Sequence, residues 1–128
     1  MSKILVIDDE QGIRNLLDTL LSRKGYEVVL ASNGQKGLEL FRRARPDVVV
    51  LDLKMPQMDG LTVLQQVRQL NPTQPVIVLT GVGTAEAERQ VRALGVTEYV
   101  EKEFSLHALG DALKRLLSTP NAEMTKKR

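Results

Sequence analysis

Val48-Val49-Val50-Leu51-Asp52-Leu53-Lys54-Met55-Pro56-Gln57-Met58-Asp59-Gly60 opens with four apolar residues. They are too few for a helix and mostly β-branched, which predicts a strand buried on both faces. Asp52 stands at its carboxyl end. Met55-Pro56 and Asp59-Gly60 are turn pairs. The carboxylate is therefore expected at the tip of a buried strand, where an open α/β sheet presents its chemistry.

On either side of this stretch, short apolar runs alternate with helical patterns. Ile4 to Ile7 forms the first run and ends at Asp8-Asp9-Glu10. Ile13, Leu16, Leu17, Leu20 and Leu21 then recur at the spacing of one helix face, closed by Arg23-Lys24-Gly25. Val28 to Ala31 predicts a second strand, Asn33 an N-cap, and Leu38 and Phe41 the buried side of a helix that stops before Pro46. After the central strand, Leu61, Leu64, Val67 and Leu70 mark a helix ending at Asn71-Pro72. Val76 to Leu79 is a fourth strand that opens onto Thr80-Gly81. Ala87, Val91 and Leu94 mark a fourth helix closed by Gly95, and Thr97 to Val100 is a short, more polar strand expected at a sheet edge. The last helix carries Leu106, Leu109, Leu113, Leu116 and Leu117 on one face, with Ser105 as its cap.

Five strands separated by helices imply right-handed crossovers, hence a parallel sheet covered by helices on both faces. Every strand tip then points to one rim, which gathers Asp8, Asp9, Asp52, Thr80 and Lys102. At 128 residues the chain is of single-domain size, with residues 1–118 expected as the domain and 119–128 as a flexible basic tail or truncated linker.

Composition excludes several classes of function. A hydrophobic fraction of 42% and a charged fraction of 27% are those of a globular protein. No apolar run reaches the length of a membrane span, and Met1-Ser2-Lys3 leads into a strand without a signal-peptide pattern. The absence of cysteine excludes disulfides and thiolate chemistry, in keeping with a cytoplasmic location. A net charge of +2 with only 3% aromatic residues is too little for a nucleic-acid surface.

Three carboxylates drawn to one rim repel one another, and each raises the others' pKa unless a cation sits among them. Mg²⁺ suits such a site, because it accepts a few carboxylates, keeps several waters and takes phosphate oxygens. Lys102 suits a dianion, and the Thr80 hydroxyl suits one of its oxygens. The rim is thus suited to hold a phosphoryl group on Asp52.

Taken together, Ile7-Asp8-Asp9-Glu10, Leu51-Asp52-Leu53-Lys54-Met55-Pro56, Met58-Asp59-Gly60, Leu79-Thr80-Gly81 and Tyr99-Val100-Glu101-Lys102 resemble the receiver domain of two-component response regulators. The resemblance runs from Lys3 to about Leu117. It implies a flavodoxin-like three-layer α/β sandwich, with five helices around a five-stranded parallel sheet of order 2-1-3-4-5. It further implies Asp52 as phosphoacceptor, receiving phosphate from a sensor histidine kinase or phosphotransfer protein. Asp9, Asp52 and the backbone carbonyl of Lys54 would bind Mg²⁺ directly, and Asp8 through a water. Lys102 would pair with the phosphoryl group, and Thr80 and Tyr99 would switch the surface of the fourth helix, fifth strand and last helix for a downstream effector. Such a domain is a phosphoacceptor that catalyses its own transfer and slow dephosphorylation, not an enzyme acting on a separate substrate.

Taken singly, each residue has a plainer reading: Asp8 and Asp9 as helix caps, Asp52 and Thr80 as turn formers, Lys102 as a solvated charge and Tyr99 as a strand former. His107 has no evident partner and is assigned no role, and Lys126-Lys127-Arg128 reads as solvated tail. Where the family usually carries proline after the lysine, this chain has Lys102-Glu103. A non-proline cis bond costs about 3 kcal/mol, so a trans bond and a shifted loop are expected there. By the same resemblance, Lys54 and Val82 would border the path of attacking water, and since neither offers a base, slow self-dephosphorylation is expected. A dehalogenase-type phosphatase would need an acid where Lys54 stands. A flavin or nucleotide binder would need a glycine-rich loop in place of Asp8-Asp9-Glu10. The remaining alternative is a receiver-like interaction module that works without phosphorylation.

Overall fold

The computed structural model describes residues 2–53, 55, 59–81, 85–95, 98–101 and 105–126. Elements alternate along the chain as β1 (Lys3–Ile7), α1 (Gln11–Arg23), β2 (Glu27–Ala31), α2 (Gly34–Ala44), β3 (Val48–Leu51), α3 (Gly60–Leu70), β4 (Val76–Thr80), α4 (Ala85–Ala93), β5 (Glu98–Glu101) and α5 (Ser105–Lys126). The strands form one parallel sheet of order β2-β1-β3-β4-β5, the flavodoxin-like order. β5 lies at an edge, as its polarity predicts.

The two-residue period of the strands sorts the core into two layers. Leu5, Ile7, Val49, Leu51, Val76 and Val78 face Leu38 and Phe41 of α2, Val63, Leu64 and Val67 of α3, and Val91 of α4. Ile4, Val6, Val48, Val50, Ile77, Leu79 and Val100 face Leu17 and Leu21 of α1 and Leu109, Ala112 and Leu113 of α5. Central strands buried on both faces need apolar residues at every position, and all four residues of β3 are buried.

Helix termini follow the expected chemistry. The Asn33 side chain accepts from Lys36 N at 2.8 Å and caps α2. Gly25 adopts φ +95° just after α1, where a β-carbon would be strained. The helix faces are narrower than the apolar pattern predicts: Leu16 and Leu70 keep 40% and 48% of their surface exposed, because each lies at the flank of its stripe. At the carboxyl end the α5 backbone continues to Lys126. No described helix is both long and apolar enough to cross a membrane.

Candidate functional site

Register places the acidic residues. Ile7 pairs with Leu51, so β1 and β3 end level and deliver Asp8 and Asp52 side by side at the carboxyl rim. Backbone bonds hold both: Asp52 N donates to Ile7 O at 2.9 Å, and Asp8 N donates to Ala31 O at 3.1 Å. Both side chains are buried, at 2% exposure for Asp8 and 4% for Asp52. Two buried like charges side by side repel strongly unless cationic groups or ions compensate them.

Carboxylate oxygens of Asp8, Glu10 and Asp52 lie within 4.8 Å of one another. Asp9 is exposed and is not among these three. The chain turns sharply after β1, with Glu10 N donating to Asp8 Oδ1 at 2.9 Å, and this turn brings the Glu10 carboxylate back over the rim. Glu10 was legible only as the third member of an acidic run. Glu10, not Asp8 or Asp9, occupies the N-cap of α1, and its side chain makes no capping bond. Arg14 adds a second unforeseen contact, its Nη1 donating to Asp8 O at 2.8 Å and fastening α1 to the strand tip.

The turn behind Asp52 is built by Asp59 and Gly60. Asp59 caps α3, its Oδ1 accepting from Thr62 N at 2.9 Å. Gly60 N donates to Leu53 O at 2.8 Å, so the start of α3 lies directly on the backbone that carries the phosphoacceptor candidate.

Thr80 ends β4 fully buried beside the rim. Tyr99, in β5, is half-buried against the core layer that holds Val91, and the Arg92 guanidinium carbon lies 5.9 Å from its ring centroid. Arg92 is held in turn by Glu88, with Nε to Oε2 at 2.8 Å. Lys102, Lys54 with its carbonyl, Val82 and the Lys102-Glu103 bond lie outside the described residues.

All the donors gathered here are hard carboxylate oxygens in a mostly buried, anionic setting. That donor set fits a divalent cation of the Mg²⁺ type and does not fit soft metals. Bound there, the cation would neutralise the buried charge and draw phosphate oxygens toward Asp52.

Comparison with known proteins agrees with this geometry. Residues 4–114 match the family model for the response regulator receiver domain. The chain is 35% identical over 115 residues to sporulation initiation phosphotransferase F of Bacillus subtilis, covering 90% of this chain and 93% of that protein. It is 41% identical to probable transcriptional regulator ycf27 of Guillardia theta, over 93% of this chain but 46% of that protein. The chain thus spans about half the length of the ycf27 relatives it matches. Among solved structures, response regulator TrrA of Thermotoga maritima, in complex with Mg²⁺-BeF, superposes with a TM-score of 0.83 at 36% identity, over 91% of this chain and 99% of that one. With an acidic rim at the strand tips and the family model spanning all but the ends, the chain belongs to the response regulator receiver domains of two-component signalling.

Proposed function

We propose that Asp52 accepts a phosphoryl group from the phosphohistidine of a sensor histidine kinase or phosphotransfer protein. The Asp52 carboxylate oxygen forms the new bond to phosphorus as the bond to the donor imidazole nitrogen breaks, and that nitrogen keeps the electron pair. Such a transfer needs little beyond in-line placement and neutralisation of charge. One observation carries the reading: Asp52 is 4% exposed at the tip of β3, with its carboxylate among those of Asp8 and Glu10.

Asp8, Asp9, Asp52 and the Lys54 carbonyl are the expected Mg²⁺ ligands, directly or through water, and Glu10 joins them by position. Lys102 neutralises the transferred group. Thr80 bonds to it, and the Tyr99 ring follows, which changes the surface formed by α4, β5 and α5. A downstream effector protein or domain reads that surface. The domain works in the cytoplasm, with neither nucleic acid nor membrane as a direct ligand. Its self-dephosphorylation is slow.

Incubation with Mg²⁺ and acetyl phosphate tests the proposal by intact mass. One phosphoryl adduct is expected on the wild type and none on Asp52→Asn. Failure to modify the wild type would favour an interaction module that acts without phosphorylation.

A further inference from the structure

At the opposite rim, where the strands begin, a cavity of about 470 Å³ opens between the carboxyl ends of α2 and α3. That volume falls within the range of small-molecule sites. Phe41 and Pro46 are buried along its wall, and Leu70 presents its largely exposed side chain to it.

The polar groups of the lining are mostly spent. Gln74 Nε2 donates to Pro75 O at 3.1 Å and, at 3.4 Å, to Pro46 O and Asp47 O, while its Oε1 accepts from Asn71 Nδ2 at 3.3 Å. Asn71 Oδ1 accepts from Thr73 N and Oγ1, both at 3.1 Å. Arg42 and Arg45 remain. They line the same cavity three residues apart, both exposed, and neither has a carboxylate partner among the described residues. Like charges at this separation repel, and each guanidinium keeps its donors available.

Two observations argue that these cations do more than serve the helix dipole. Lys3 Nζ already donates to Ala44 O at 2.9 Å and supplies a cation to that helix end. Arg45 is also the one non-glycine residue with positive φ among those described, at +50°, a position where glycine is the unstrained choice. A strained cation is thus held beside a second cation, over an apolar wall whose amides are already bonded.

We infer that this cavity binds a small amphipathic anion, a carboxylate on a compact aliphatic or aryl-alkyl body. The carboxylate accepts from Arg42 and Arg45, and the apolar body covers Phe41, Pro46 and Leu70. Charge-assisted bonds to two guanidiniums select an acid over its neutral analogue. The site is independent of phosphorylation at Asp52, which lies at the other end of the sheet.

Titration of the isotopically labelled 128-residue chain with sodium octanoate, followed through backbone amide shifts, tests the inference. Saturable shifts are expected at Leu70, Asn71 and Gln74, with 1-octanol binding at least about tenfold more weakly. The Arg42→Gln/Arg45→Gly double variant, in which glycine suits the left-handed backbone, is expected to bind octanoate at least about tenfold more weakly. Asp52→Asn is expected to bind as the wild type does. Equal binding of octanol and octanoate, undiminished binding by a folded double variant, or no shift at those amides up to about 10 mM octanoate would overturn it.

Discussion

Gly60 lies directly against the backbone of Asp52: a β-carbon built on Gly60 would overlap the Asp52 carbonyl oxygen and lie 2.5 Å from Leu53 Cα. The first turn of α3 therefore serves as a backstop for the phosphoacceptor candidate. Backbone cannot yield as a side chain does, so the glycine is required by close approach and not by its torsion angles.

Gly60→Ala is accordingly expected to cost about 1–3 kcal/mol by overpacking. Urea denaturation would measure the loss. Displacement of Asp52 should also lower the rate of adduct formation with acetyl phosphate, beyond what the unfolded fraction explains.

Asp59 caps α3 through Thr62 N at 2.9 Å. Asp59→Ala is expected to lose about 1 kcal/mol, and Asp59→Asn to retain most of it. The comparison of the two unfolding midpoints separates the cap from the negative charge.

Arg68 ties three segments together. Its guanidinium donates to Leu94 O at 2.6 Å, Gly95 O at 2.6 Å and Gln74 O at 2.7 Å, with a long bond to Asn71 O at 3.5 Å. Arg68→Ala leaves these carbonyls without their donor and is expected to cost about 2–3 kcal/mol, with faster amide exchange in Val91–Gly95. Burial lowers the Arg68 pKa. A base depressed by folding carries a constant penalty in the folded state while it stays protonated and sheds it only as pH rises through its titration range, far above neutrality, so the Arg68 contribution is expected to stay flat between about pH 5 and 9. A wild-type minus variant stability difference that changes across that window would contradict this.

Mg²⁺ is expected to stabilise the wild type by relieving repulsion between the buried carboxylates. At about one hundred times its dissociation constant the gain is about 2.7 kcal/mol, a rise of roughly 10 °C in Tm. Asp52→Asn should show a much smaller rise, measured by calorimetry with and without the ion.

Lys54→Asn is expected to shorten the lifetime of the phosphorylated protein, since a smaller polar side chain opens the path of attacking water. Decay followed by intact mass after removal of the phosphodonor checks this, and equal lifetimes would count against a shielding role for Lys54.

Much of this architecture was legible in the chain. The buried run Val48–Leu51, the Asn33 cap and the buried Leu38 and Phe41 follow from local periodicity and turn chemistry, which depend on neighbours a few residues away. Val63 escaped the pattern because it sits beside the expected stripe, yet α3 packs closely enough on the sheet to bury it completely. Leu70 erred in the other direction, since it lies at the flank of its stripe and nothing among the described residues covers that side chain fully. Arg68 read as one more surface cation, and its bonds to carbonyls up to 27 residues away carry no local signature.

Local pattern was enough to say that Asp52 ends a buried strand, because a short apolar β-branched run and turn signals are properties of adjacent residues. Which carboxylates join it was settled by long-range packing. Parallel pairing of Ile7 with Leu51 sets the two strand tips level, and the turn after β1 leaves Asp9 exposed while bringing the Glu10 carboxylate beside Asp8 and Asp52. Side-chain direction at a strand end depends on register and on the path of the chain beyond it, and those are fixed by contacts between segments distant in the chain.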